Sequence, residues 1–140
     1  MTVTDFLLPV FVQVALTFAL LIRTAIGRVS SFRSGEVKPE DIALGEQGWP
    51  KKVTQYGNAF KNQFELPVLF YALIAFILIT RVGDFLLLVL AWIFVILRLL
   101  HAYVHTTGNN VLLRGRIYGG GLIVLLAMWV IFAVKILTGA

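Results

Sequence analysis

The chain has 140 residues, which suits one domain. Hydrophobic residues make up 59% and charged residues 14%, against about 45–50% and about 25% in a soluble domain, a surplus too large for an aqueous core of this size. The absence of cysteine excludes disulfides and thiolate metal sites, and the net charge of +5 is better explained by orientation in a membrane than by nucleic acid.

The apolar residues gather into uncharged runs between charged brackets. Phe6–Ile22 lies between Asp5 and Arg23. It has neither a basic leader nor a small-residue cleavage site, so it is expected to stay as a membrane anchor. A polar stretch rich in Ser, Gly and Pro runs from about Arg28 to Lys52. Leu66–Thr80 lies between Glu65 and Arg81, and Phe85–Leu97 between Asp84 and Arg98. Arg81-Val-Gly-Asp84 makes a tight hairpin between these two. Thr106-Thr-Gly-Asn-Asn110 is a second turn, with Gly108 as a helix stop and Asn110 as an N-cap. Ile117–Val134 closes the series between Arg116 and Lys135. Runs of Leu, Ile, Val, Phe and Ala without polar alternation predict helices, not barrel strands. The expected fold class is all-α: a polytopic membrane four-helix bundle forming a single transmembrane domain. The spans fall at about 5–27, 54–80, 84–107 and 111–137, with a loop at about 28–53.

Charge sets the orientation. Arg23, Arg28, Arg33, Lys38, Lys51, Lys52, Lys61, Arg98, Arg114 and Arg116 fall on the side of the first and third connections. Only Arg81 and Lys135 fall on the other. The 28–53 and 106–113 loops are therefore expected to be cytoplasmic and both termini non-cytoplasmic.

Span lengths then point to a site. The second run has 15 residues and the third 13, reaching only roughly 20–22 Å of a ~30 Å hydrocarbon core. The hairpin blocks extension at one end, so both helices must continue past their brackets on the cytoplasmic side. The second continues back through Glu65, Asn62, Lys61 and Asn58, whose i, i+3, i+4, i+7 spacing is one helical face. The third continues through Arg98, His101 and His105, again on one face. Arg114 and Tyr118 add a third polar stripe at the same depth. Polar groups there should line a bundle interior or a water-filled cavity, and Lys61, Arg98 and Arg114 against Glu65 suit an anionic ligand.

Plainer readings compete. Lys61 could simply snorkel to headgroups, and Glu65 and Arg98 could form a structural ion pair. His101 and His105 share a face, yet with no Cys and no acidic neighbour on that span no metal site is expected. Gly119-Gly120-Gly121 reads as a close helix-packing surface. A polar end opposite an apolar end outlines no continuous channel.

Together these stripes resemble the family of membrane-associated proteins in eicosanoid and glutathione metabolism, MAPEG, over nearly the whole chain. Asn58-Ala-Phe-Lys61-Asn62-Gln-Phe-Glu65-Leu-Pro67 is similar to its span 2 motif, and Arg98-Leu-Leu-His101 to its span 3 motif. Arg114 with Tyr118 matches span 4, and Lys38-Pro39-Glu40-Asp41 looks like its loop. The chain departs from the family's synthase branch at Asn58 and Lys61, where that branch has arginines. His105 replaces an aromatic hydroxyl, and Gly115 lies where one branch has Ser.

The resemblance implies a homotrimer among membrane lipids, with glutathione bound as co-substrate between subunits. It places Asn62, Glu65, His101, Arg114 and Tyr118 on glutathione-contacting positions, and Arg114 where the thiolate is stabilised. Arg28 or Arg23 would supply the span 1 arginine. The expected function is a glutathione-dependent transferase or peroxidase-like activity on lipophilic electrophiles or lipid hydroperoxides. The alternative is a non-enzymatic protein whose pocket binds an anionic lipid or another thiol metabolite.

Overall fold

The structure, a computed structural model, describes residues 1–45 and 48–140. The described residues form six helices: α1 (Val3–Arg33), α2 (Pro39–Ile42), α3 (Lys51–Asn62), α4 (Leu66–Thr80), α5 (Phe85–Thr106) and α6 (Val111–Thr138). Four stretches are long and apolar enough to cross a membrane: α1, α3 with α4, α5 and α6. They run antiparallel in sequence order. The described parts of the 34–50 connection and the 107–110 turn lie at one end, and the termini and the 81–84 hairpin at the other.

Local chemistry explains the ends. Thr2 caps α1, its Oγ1 accepting from the Asp5 N–H at 3.2 Å while the Thr2 N–H donates to the Asp5 carboxylate at 2.6 Å. The helix then runs on to Arg33, past residue 27, where the charges alone suggested a boundary. Gly35, at φ +74°, is the first residue suited to a reversal. Asp84 caps α5 at the Leu87 N–H (2.9 Å) and pairs with Lys135 near the end of α6 (2.7 Å). Partial burial pushes the Asp84 carboxyl up, but that N–H and the ammonium outweigh it and hold it below the usual carboxylate range.

Lipid tails are as apolar as leucine, so these helices associate through packing and polar links more than through exclusion of water. Phe70 stacks on Phe94 at 4.8 Å, within a core that includes Leu73, Ile74, Ile77, Leu87, Ala91, Leu125 and Met128. Leu20, Ala59 and Ala102 form a second, smaller cluster toward the 34–50 end. Gly27 lets α1 and α3 approach, since a Cβ there would stand 3.0 Å from Val53. Thr17, Thr24 and Ser31 return their hydroxyls to carbonyls four residues back, so α1 carries them without an unmet donor. The Gly119–Gly121 surface is looser within one chain than expected. An added Cβ would meet only ordinary contacts at Gly120 and Gly121, and none within 4 Å at Gly119.

The second span is not the continuous helix that its polar stripe implied. It breaks between Asn62 and Leu66. Pro67 has no N–H to offer the Gln63 carbonyl, and its ring crowds that carbonyl, so the α-helical ladder cannot pass through. Asn58, Lys61 and Asn62 therefore stay on α3, while Glu65 lies beyond its end at the start of α4.

Candidate functional site

The break builds one wall of a cleft. After Asn62 the chain tightens, with the Glu65 N–H donating to the Asn62 carbonyl at 3.3 Å. The Asn62 amide donates to Glu65 Oε2 at 3.3 Å, and the Tyr118 hydroxyl of α6 donates to the same oxygen at 3.0 Å. Arg98 of α5 lies behind this group, only 1% exposed. Its Nη2 donates to the Asn62 side-chain and main-chain oxygens, and its guanidinium sits 5.7 Å from the centre of the Tyr118 ring. The suggested Glu65–Arg98 ion pair is thus replaced by a relay in which Asn62 joins the two charges. Arg98 Nε and Nη1 and the Nδ1 atoms of His101 and His105 are buried without a protein partner.

The third wall is α6. Asn110 caps it at the Leu113 N–H (3.1 Å), as read from the sequence. Asn109, in the left-handed region at φ +51°, turns its side chain to accept from Arg114 Nη1 at 2.5 Å. The end of α5 is fixed from across the bundle. Lys52 Nζ donates to the Thr106 carbonyl at 2.6 Å, and Gln55 Nε2 to those of His105 (2.7 Å) and Thr107 (3.0 Å). These carbonyls have no partner in their own helix, and α3 supplies one. The His101 ring stands 5.6 Å from those of both His105 and Tyr118.

Asn62, Glu65, His101, His105, Arg114 and Tyr118 line one cavity of about 410 Å³, with Val111 and Gly115 completing the wall. This volume lies within the roughly 300–1,000 Å³ typical of small-molecule sites. The other candidates lie elsewhere. Arg28, Asn58 and Lys61 line a cavity of about 460 Å³ between α1 and α3. Arg28 packs against Trp49, while Arg23 stacks on Tyr56 and joins neither cavity. Among the described residues no group of acidic, histidine or cysteine side chains could hold a metal ion. Asn109, Lys52 and Gln55 were not singled out from the sequence. The Asn-Asn pair at the turn was the one available signal, since the others act across fifty or more residues of chain.

A four-helix membrane bundle with a polar, hydrogen-bonding cleft at one end is the class of protein that these features define. The chain belongs to the MAPEG family, whose model matches residues 6–134. Comparison with curated proteins and with solved structures found no match. The family is glutathione-related, and the donors present fit such a ligand. Arg114, His101, His105 and the Asn62 side chain would meet its carboxylates, and Glu65 its ammonium.

Proposed function

We propose that the chain is a glutathione-dependent membrane transferase or peroxidase-like protein acting on lipophilic electrophiles or lipid hydroperoxides. The observation that carries this reading is the convergence of six side chains from three spans on one cleft beside a lipid-facing surface. The protein brings no thiol of its own, so the nucleophile must come with the ligand. A free thiol has a pKa of about 8.5, and only its thiolate attacks. The Arg114 guanidinium, steadied by Asn109, would stabilise that thiolate in a site partly shielded from water. In conjugation the sulfur forms a bond to the electrophilic carbon as the leaving group departs with its electron pair. With a hydroperoxide, two thiols yield a disulfide, an alcohol and water.

A homotrimer accounts for the second cavity. A closed ring of three copies uses two different faces of each chain. The face of α1 and α3 carrying Arg28, Asn58 and Lys61 would then meet the cleft of its neighbour, bringing nine of the ten candidate residues to one ligand, with Arg98 buried behind them. The orientation that fits has this end of the bundle in the cytoplasm.

A thiol-conjugation assay on purified protein tests the proposal. Arg114→Ala is expected to lower turnover about 100-fold or more, and equal rates for the two proteins would remove Arg114 from the mechanism. The cavity shared by Arg28 and Lys61 with Leu21, Ala25, Val29 and Phe60 favours a second reading, an anionic lipid. A phospholipid that co-purifies, with no thermal shift on adding glutathione, would support it.

A further inference from the structure

Gln13 is the one carboxamide in the apolar run of α1, and it is completely buried. It lines neither cavity described above. Its Nε2 donates to Gln63 Oε1 at 2.9 Å, across fifty residues of chain. Gln63 is itself buried and sits inside the break of the second span, between Asn62 and Glu65.

The hydrogen-bond accounting at the break shows what this contact does. In a continuous α-helix the Gln63 N–H would bond to the Ala59 carbonyl. Here it turns to the Phe60 carbonyl at 3.0 Å, which tightens the turn. The Ala59 carbonyl is taken up instead by the Gln63 side chain, whose Nε2 donates to it at 2.9 Å. Gln63 therefore replaces the lost backbone bond with its own amide, and the remaining oxygen of that amide accepts from Gln13. Gln13 Oε1 stays buried without a partner, and losing the bond to Gln63 would add two further unmet groups, so the pair favours one geometry of the break. That geometry brings Asn62 to Arg98 and Glu65 to Tyr118.

We propose that Gln13 and Gln63 form an interhelical amide latch that fixes the broken second span in site geometry. Gln13 is then a positioning residue for Asn62 and Glu65, acting from a span that contributes nothing to their cavity. The binding measurement below rests on the glutathione reading; the latch itself does not.

The absence of cysteine allows a clean reporter. Gly115→Cys places one thiol at the cleft wall, where an added Cβ meets nothing within 4 Å. Its rate of alkylation by a water-soluble maleimide is measured with and without Gln13→Leu, in protein reconstituted in lipid. Glutathione binding is measured in the same backgrounds without the reporter. Leu73→Ala, deep in the other packing cluster, serves as a destabilised control.

Gln13→Leu is expected to raise the alkylation rate about fivefold and weaken glutathione binding about fivefold, the worth of one lost buried hydrogen bond. Leu73→Ala is expected to lower the melting temperature and leave both readouts within about twofold. Gln13→Glu, held protonated by burial, keeps a donor for Gln63 and should restore both. Alkylation unchanged by Gln13→Leu, or changed equally by Leu73→Ala, overturns the latch. Alkylation that responds in a protein that binds no glutathione supports the latch and removes the glutathione reading.

Discussion

Asn62 shows how much can depend on one neutral side chain. It takes charge-assisted hydrogen bonds from a buried guanidinium and passes its own amide to Glu65. Asn62→Ala leaves Arg98 with only a long bond to the main-chain oxygen of residue 62. A thermal-unfolding series in lipid or mild detergent should show a loss of about 2–3 kcal/mol, whereas Asn62→Asp, which keeps an acceptor, should lose less. The sequence placed Asn62, Glu65, Arg98 and Tyr118 at a common depth because helical spacing is readable from identity alone. It did not give the relay, because which carboxylate or amide reaches a guanidinium depends on where the chain turns. At the far end of the bundle, Asp84 offers a test by pH. Its folded pKa is lowered, so the unfolded chain binds its proton first as pH falls. The stabilisation from its bonds to the Leu87 N–H and to Lys135 is complete above the ordinary value of 3.8 and is lost as pH drops through the lowered folded value. Lys135→Met should flatten that acid limb of the melting-temperature profile.

Among the elements, the second span carries the lesson. Its polar stripe was legible, and so was Pro67, yet the length argument favoured one continuous helix. The break won because a proline cannot serve the carbonyl four residues back, and because Gln63 supplies a substitute donor that no periodicity reveals. Pro67→Ala restores the missing N–H. It is expected to leave thermal stability unchanged or about 1 kcal/mol higher while weakening glutathione binding several-fold, as Glu65 moves away from Tyr118. The hairpin between α4 and α5 has its own constraint. A Cβ at Gly83 would stand 2.6 Å from the ring of Phe6, which is buried against it. Gly83→Ala should cost about 1–3 kcal/mol in thermal unfolding through displacement of that ring.

For the molecule as a whole, charged brackets around apolar runs were enough to read four helices, because a bilayer forces backbone groups to pair within each segment. Contacts such as Lys52 with Thr106 and Asp84 with Lys135 put the first and third connections at one end and the termini at the other. With ten of the twelve basic side chains at the first end, an impermeant maleimide applied to intact cells should label Ala140→Cys and spare Gly108→Cys.

The two packing clusters lie on opposite sides of the break, with Ala59 and Ala102 in one and Phe70, Leu73 and Phe94 in the other. Side chains that share no neighbours contribute independently, so paired substitutions across this seam should combine additively. Such a division lets inheritance rework the end that carries the polar cleft while leaving the other half of the bundle intact. Sequence change in descendants of this chain should therefore be tolerated independently between residues 51 and 65 and around 98–118.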